Sequence, residues 1–127
     1  MKLMLDTHTL LWFYSGDEKL STNVKNIILD KTNQCYVSIA SLWEITIKIN
    51  LGKLIIEDSI TDLFEFLARN NFEIVEITLA DLLELNKLPK YHKDPFDRLI
   101  ISQTISRRLE ICSFDEEFEL YSIKIIK

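Results

Sequence analysis

The stretch DPFDRLIISQTISRRLEICSF, residues 94–114, holds one complete helix-to-strand unit. Asp94 suits the position that caps a helix, because its short side chain can accept an orphaned backbone N–H of the first turn. Pro95 suits the first helical position, where its missing N–H is not needed and its fixed φ is already helical. Asp97 falls third, where a negative charge meets the positive end of the helix macrodipole. The spacing predicts a helix to about Leu109, with Ile101, Ile105 and Leu109 as its apolar stripe. Glu110–Phe114 then reads as a strand.

The rest of the chain alternates in the same way. Lys2–Leu5 is an apolar run ending at Asp6 and reads as a buried strand. Leu10–Tyr14, closed by Ser15 and Gly16, is a short helix or an extended connection. Ser21 caps a helix carrying Val24, Ile27 and Ile28. Gln34–Ser38 is a second strand. Ser41 opens the next helix, with Leu42, Ile45 and Ile49 on one face and Gly52 at its end. Ser59 caps another, with Leu63, Phe64 and Leu67 inward. Phe72–Ile77 is a third strand, followed by a capping box, Thr78 with Asp81, for a helix that Pro89 stops. Ile123–Ile126 is a short fifth strand. Strands that are apolar on both faces and separated by helices give an α/β fold, a central parallel sheet of four to five strands flanked by helices. The expected organisation is one domain over residues 1–127. Ligands of such sheets bind beyond the carboxyl ends of the strands.

Bulk properties narrow the function. With 47% hydrophobic and 28% charged residues, and only two Gly and two Pro, the chain has the composition of a globular protein. Asp6 interrupts the first apolar run too early for a signal peptide, and no uncharged stretch reaches the roughly 20 residues that span a bilayer. A cytoplasmic protein with no membrane partner is expected. Cys35 and Cys112 fall in strand-like runs and read as buried thiols. The net charge of −5 argues against a protein that coats DNA, and fits one that gathers carboxylates and recruits cations or a basic protein partner.

Four acids are placed to meet. Asp6 ends the first strand, Glu44 lies in the first turn after Ser41, Asp97 in the first turn after Asp94, and Asp115 directly after the fourth strand. Each has an ordinary explanation as a cap, a capping-box partner or a turn residue. Together they are harder to dismiss. Two carboxylates about 4 Å apart repel by roughly 4 kcal/mol at an effective dielectric near 20. Gathering four requires protons, Lys or Arg, or a divalent cation. Hard oxygen donors without a Cys/His set suit Mg²⁺ or Mn²⁺ rather than zinc. Such a cation can activate water against a phosphodiester, alone or as one of a pair.

Four segments, Leu5–Trp12 (LDTHTLLW), Ser38–Ile45 (SIASLWEI), His92–Gln103 (HKDPFDRLIISQ) and Ser113–Asp115 (SFD), resemble PIN domains of VapC-type toxins, in the family's order and over essentially the whole chain. The resemblance implies a helix-flanked parallel sheet and a Mg²⁺- or Mn²⁺-dependent endoribonuclease, the toxin of a toxin–antitoxin pair. It implies Asp6, Glu44, Asp97 and Asp115 as catalytic metal ligands. It further implies an RNA substrate, a cognate antitoxin as partner, and a homodimer. Thr7 matches the small hydroxyl residue that supports the metal site, and Asp94 is left as cap or outer support. Where many relatives have Thr-Arg-Asp before the fourth acid, this chain has Ser113-Phe114-Asp115. His8 and His92 can contact RNA or move a proton, and Lys93 and Arg98, with Lys48 and Lys53, can guide phosphate or remain ordinary solvated charges. Trp12, Trp43 and Phe96 can stack bases or serve as core and interface.

Two other readings compete. A phosphoacceptor receiver domain would show adjacent acids after the first strand, an Asp closing the third and a Lys closing the fifth; here the first strand ends in Asp-Thr-His. A non-catalytic PIN-fold interaction module has no chemical reason to keep all four acids.

Overall fold

The computed structural model describes residues 1–127. β1 (Lys2–Leu5) is followed by α1 (Thr7–Ser15) and α2 (Thr22–Leu29), then β2 (Gln34–Ser38), α3 (Ile39–Asn50) and α4 (Ile60–Arg69). β3 (Glu73–Val75), α5 (Leu79–Lys87) and α6 (Pro95–Ser106) lead to β4 (Glu110–Cys112), a 3₁₀ turn over Glu116–Leu120, and β5 (Ile125–Ile126). The five strands are all parallel, in the order β3-β2-β1-β4-β5. The expected α/β architecture is the observed one.

β1 is the centre of this sheet and its point of reversal. The chain moves from β1 to β2 and β3 on one side, then returns to place β4 and β5 on the other. A crevice opens beyond the carboxyl ends of two strands whose connections diverge. Asp6 follows β1 and Ser113 follows β4, so both lie at that divergence.

Alternation along β1 splits the core in two. Leu3 and Leu5 face a cluster with Leu10, Val24, Val37, Ile45, Leu63 and Leu67. Met4 faces the opposite cluster with Ile100, Ile101, Ile111 and Phe118. This is the period-two pattern of a strand covered on both faces. Burying each of these large apolar side chains contributes about 1.5–3 kcal/mol. Cys35 and Cys112 are free and buried, and burial pushes their thiols up to about 11 and about 12.

Several local readings change. The open segment after Asp6 is helical, with Asp6 capping it through Thr9 N–H and Gly16 ending it at φ 70°. α3 starts at Ile39, capped by Ser38 rather than Ser41, because Ser38 Oγ reaches Ala40 N–H and lets the strand pass straight into the helix. Glu44 therefore lies in the second turn and completes no capping box with Ser41. Ser41 is instead buried, and receives a hydrogen bond from Thr7 Oγ1 at 3.0 Å. Phe64 is exposed, not inward. α6 stops at Ser106, since Arg108 adopts φ 55° and the N–H groups of Arg108 and Leu109 close back on Ile105 and Thr104. Leu109 caps that turn as an apolar plug instead of extending the stripe. The third and fifth strands are shorter than the apolar runs that predict them.

Candidate metal centre

Asp6 is buried at the end of β1. Its Oδ1 accepts Thr9 N–H at 2.8 Å and its Oδ2 accepts Ser113 Oγ–H at 2.6 Å. Burial raises its pKa, and these two donors act against the rise. Ser113 Oγ also accepts the N–H of Asp115 at 3.2 Å, so one hydroxyl joins the first and fourth acids. Thr9 Oγ1 donates to Cys112 O at 3.1 Å, holding α1 against β4.

Glu44 projects from the second turn of α3 and is buried. Its Oε2 pairs with Lys48 Nζ at 2.8 Å, one turn further on. Its Oε1 is buried with no hydrogen-bond partner. A buried charged oxygen without a partner retains its full desolvation penalty, at least about 1–3 kcal/mol. A cation would satisfy it; Glu110 Oε2 is also buried without a partner, but Glu110 lies outside the acidic group.

Asp97 is reached through its own helix. Asp94 caps α6 by accepting Asp97 N–H at 3.0 Å, and Pro95 occupies the first position. Burial raises the Asp97 pKa to about 7, with the charges of Asp94, Asp6 and Glu44 pushing the same way and His92 opposing. The carboxylates of β1 and α3 therefore act on α6 directly, although they lie far apart in sequence.

His92 is the residue around which the remaining acids gather. Nε2 lies 3.1 Å from Asp97 Oδ2 and 3.0 Å from Asp115 Oδ2. Nδ1 accepts Asp94 N–H at 3.1 Å, which leaves the imidazole proton on Nε2 between the two carboxylates. Asp115 is further fixed by accepting Glu117 N–H at 2.9 Å. Ligand atoms of His92, Asp97 and Asp115 all lie within 4.8 Å of one another.

The other sequence candidates divide. Thr7 is buried next to Asp6 and bonded to Ser41. Arg98 does not face open solvent: its guanidinium donates to the carbonyls of Leu88, Pro89 and His92 and staples the loop before α6. Lys93 is exposed. His8 is exposed on α1, its ring 6.0 Å from Trp12. Both line a groove of about 630 Å³ along α1, with Thr7, Lys48 and Lys53; Asp17, Glu57 and Asp58 also line it, and none of the four acids does. Trp43 is exposed and packs edge-on against Phe96.

Sequence reasoning missed Ser113 and Thr9 as supports of Asp6, and Glu117 beside His92. The only signal for Ser113 was its place between a strand and an acid. Nothing local marked the partnership, because 107 residues separate Ser113 from Asp6.

The donor set fits a hard divalent cation. Carboxylate oxygens dominate, one buried oxygen is unpartnered, and burial, reinforced by the neighbouring carboxylates, raises the Asp97 pKa to about 7. Of the four acids expected from the sequence, Asp97 and Asp115 lie in one ligand group with His92, whereas Asp6 and Glu44 stand outside that group and act on Asp97 through their charge.

A sequence profile of the PIN domain matches residues 3–124. Comparison with curated protein sequences finds no match. Among solved structures, the chain is similar to VapBC2 from Rickettsia felis bound to a DNA fragment from its promoter, with a TM-score of 0.75 and 18% identity over 99% of this chain and 98% of that one. It is also similar to a toxin–antitoxin complex from Klebsiella pneumoniae, at a TM-score of 0.67 and 16% identity, covering 98% and 96%. The PIN-domain endonuclease Utp24 aligns at a TM-score of 0.56 and 12% identity, covering 98% and 82%. At these identities the likeness is one of fold.

Proposed function

This chain belongs to the PIN-domain family, and on that premise we propose that it is a Mg²⁺- or Mn²⁺-dependent endoribonuclease, the toxin of a toxin–antitoxin pair. One observation carries the reading: Asp97 and Asp115 close on one another around His92, the charges of Asp6 and Glu44 reach Asp97, and burial together with those charges raises the Asp97 pKa to about 7, while Glu44 keeps one unpartnered oxygen. A purely structural acid cluster would pair its members with Lys or Arg, and here only Glu44 has such a partner. A relative named as a PIN-domain endonuclease and a similar toxin–antitoxin complex support the reaction class and the partner.

Asp6, Glu44, Asp97 and Asp115 would hold the cation. When bound, it would lower the pKa of a water and offset charge developing on the phosphate oxygens. Ser113 and Thr9 fix the orientation of Asp6, and Asp94 fixes that of Asp97. Asp97 would have to release its proton to solvent to serve as a ligand. The groove beside α1 would take up the RNA chain, with Lys53 facing phosphate and Trp12 offering a ring to a base. An antitoxin presenting Arg or Lys to the same carboxylates would inhibit by occupying their place, and the protein would act as a homodimer.

The test is incubation of purified protein with a defined RNA pool, with Mg²⁺, with Mn²⁺ and with a chelator, beside Asp6→Ala. Internal cleavage that needs the metal and disappears in the variant is expected. Cleavage that survives both chelation and Asp6→Ala would overturn the proposal, as would no cleavage under any metal condition.

A further inference from the structure

His92 is one of only two histidines in the chain, and its ring has little freedom to leave the acidic centre. It is buried, and its backbone N–H donates to Tyr121 Oη at 2.8 Å. Its carbonyl accepts from Arg98 at 3.4 Å, and its ring lies edge-on against Phe118, itself fully buried, with centroids 5.5 Å apart. Tyr121 Oη in turn donates to Pro89 O at 2.8 Å. Backbone, ring face and supporting loop are all fixed. A cation that enters between Asp97 and Asp115 must meet Nε2.

The spacing suits that meeting. Adjacent donors of an octahedral ion at about 2.1 Å stand about 3.0 Å apart. Nε2 stands 3.1 Å from Asp97 Oδ2 and 3.0 Å from Asp115 Oδ2. The opposite nitrogen is also provided for. A metal-bound imidazole donates its second N–H to a carboxylate or carbonyl, and Glu117 Oε2 lies 3.3 Å from Nδ1. Without a cation, Nδ1 accepts Asp94 N–H and Nε2–H serves the two acids; with one, the imidazole proton would sit on Nδ1 and hydrogen-bond to Glu117 Oε2, and Asp94 N–H would give up Nδ1 as its acceptor.

We propose that His92 binds the cation through Nε2 together with Asp97 and Asp115, giving the centre one nitrogen donor and a preference for Mn²⁺ over Mg²⁺. The preference follows from donor chemistry: Mg²⁺ dehydrates reluctantly and demands a near-ideal oxygen octahedron, whereas Mn²⁺, the hardest of the first-row ions, shares the oxygen donors and exchanges a water for one imidazole at less cost. This rests on the metal-dependent reading of the same site, and deepens it by naming a ligand from outside the four acids.

Pulsed electron paramagnetic resonance of the full chain loaded with Mn²⁺ alone tests it directly. A ¹⁴N hyperfine coupling is expected, replaced by a ¹⁵N coupling when the histidines are ¹⁵N-labelled. His8→Gln should leave the coupling in place, and His92→Gln should remove it. Calorimetry should show Mn²⁺ affinity falling tenfold or more in His92→Gln, with a smaller change for Mg²⁺, and a fall of roughly tenfold in Glu117→Gln. The labelled wild-type spectrum decides the matter even if His92→Gln fails to fold. Bound Mn²⁺ with no nitrogen coupling overturns the assignment while leaving a nuclease with an all-oxygen site. Nitrogen-coupled Mn²⁺ in a protein that cleaves no RNA upholds the ligand and overturns the nuclease.

Discussion

Ser113 Oγ donates to Asp6 Oδ2 at 2.6 Å, linking the ends of β1 and β4 across 107 residues. The same hydroxyl accepts Asp115 N–H, so it orients two of the four acids at once. It is fully buried, and no water can replace it without a change in packing.

Ser113→Ala should therefore lower stability by about 1–3 kcal/mol, the cost of leaving a buried carboxylate oxygen short of a donor. Metal-dependent RNA cleavage should fall roughly tenfold or more through kcat, because misplacing a ligand weakens stabilisation of the transition state. Ser113→Thr should recover most of the activity. Unaltered kcat in Ser113→Ala would mean that Thr9 N–H alone holds Asp6 in place.

Asp97→Asn should abolish cleavage yet stabilise the metal-free protein. The folded-state pKa of Asp97 is about 7, above its ordinary 3.8. Between those values the folded chain keeps a proton that the unfolded chain releases, so this group's contribution to stability falls as pH rises from about 4 to 7. The variant should match the wild type near pH 4 and exceed it at pH 8 by up to about 4 kcal/mol, measured by urea unfolding without metal. A loss of stability at pH 8 would mean that Asp97 serves chiefly as a favourable charge at the start of α6.

Cation binding should release a proton near neutrality, so Mn²⁺ should bind more tightly at pH 8 than at pH 6. At 100 times Kd the ion should add about 2.7 kcal/mol, raising Tm by roughly 10 °C. Thermal scans at the two pH values check this. An equal Tm increase at both would separate Asp97 from the binding event.

Asp81 offers a contrast, a buried acid that is paired. Its carboxylate receives Arg107, Ser106, Gln103 and the Thr78 N–H. Burial disfavours its charge, but these donors outweigh burial and hold its pKa well below the usual carboxylate range. Its contribution to stability is present above about pH 4 and is lost as pH falls further. Asp81→Ala should cost about 3–5 kcal/mol by leaving Arg107 unpaired, while metal affinity of the folded protein stays unchanged. Chemical unfolding and calorimetry on the same samples distinguish the two effects.

Lys53→Glu tests the groove. Lys53 lines it without contacting the four acids. The substitution should raise KM for RNA about three- to tenfold with kcat nearly constant, and the effect should shrink at high salt. A matching fall in kcat would place Lys53 in the chemistry instead.

The sequence by itself determined the element order and the parallel sheet, and marked four acids as candidates. Hydrophobic alternation and capping chemistry are local, and Asp94-Pro95-Phe96-Asp97 defines its helix start without help from the rest of the chain. Tertiary structure decided how those acids are held. Ser38 rather than Ser41 caps α3 because the strand runs directly into the helix, and that register buries Glu44 with one oxygen unpartnered. Ser113, His92 and Glu117 have no periodic signature, and their partners lie on other elements. Hydrogen bonds and charge repulsion depend on distance in space, and at the centre of this sheet that distance is set by the order β2-β1-β4, which no local stretch of chain encodes.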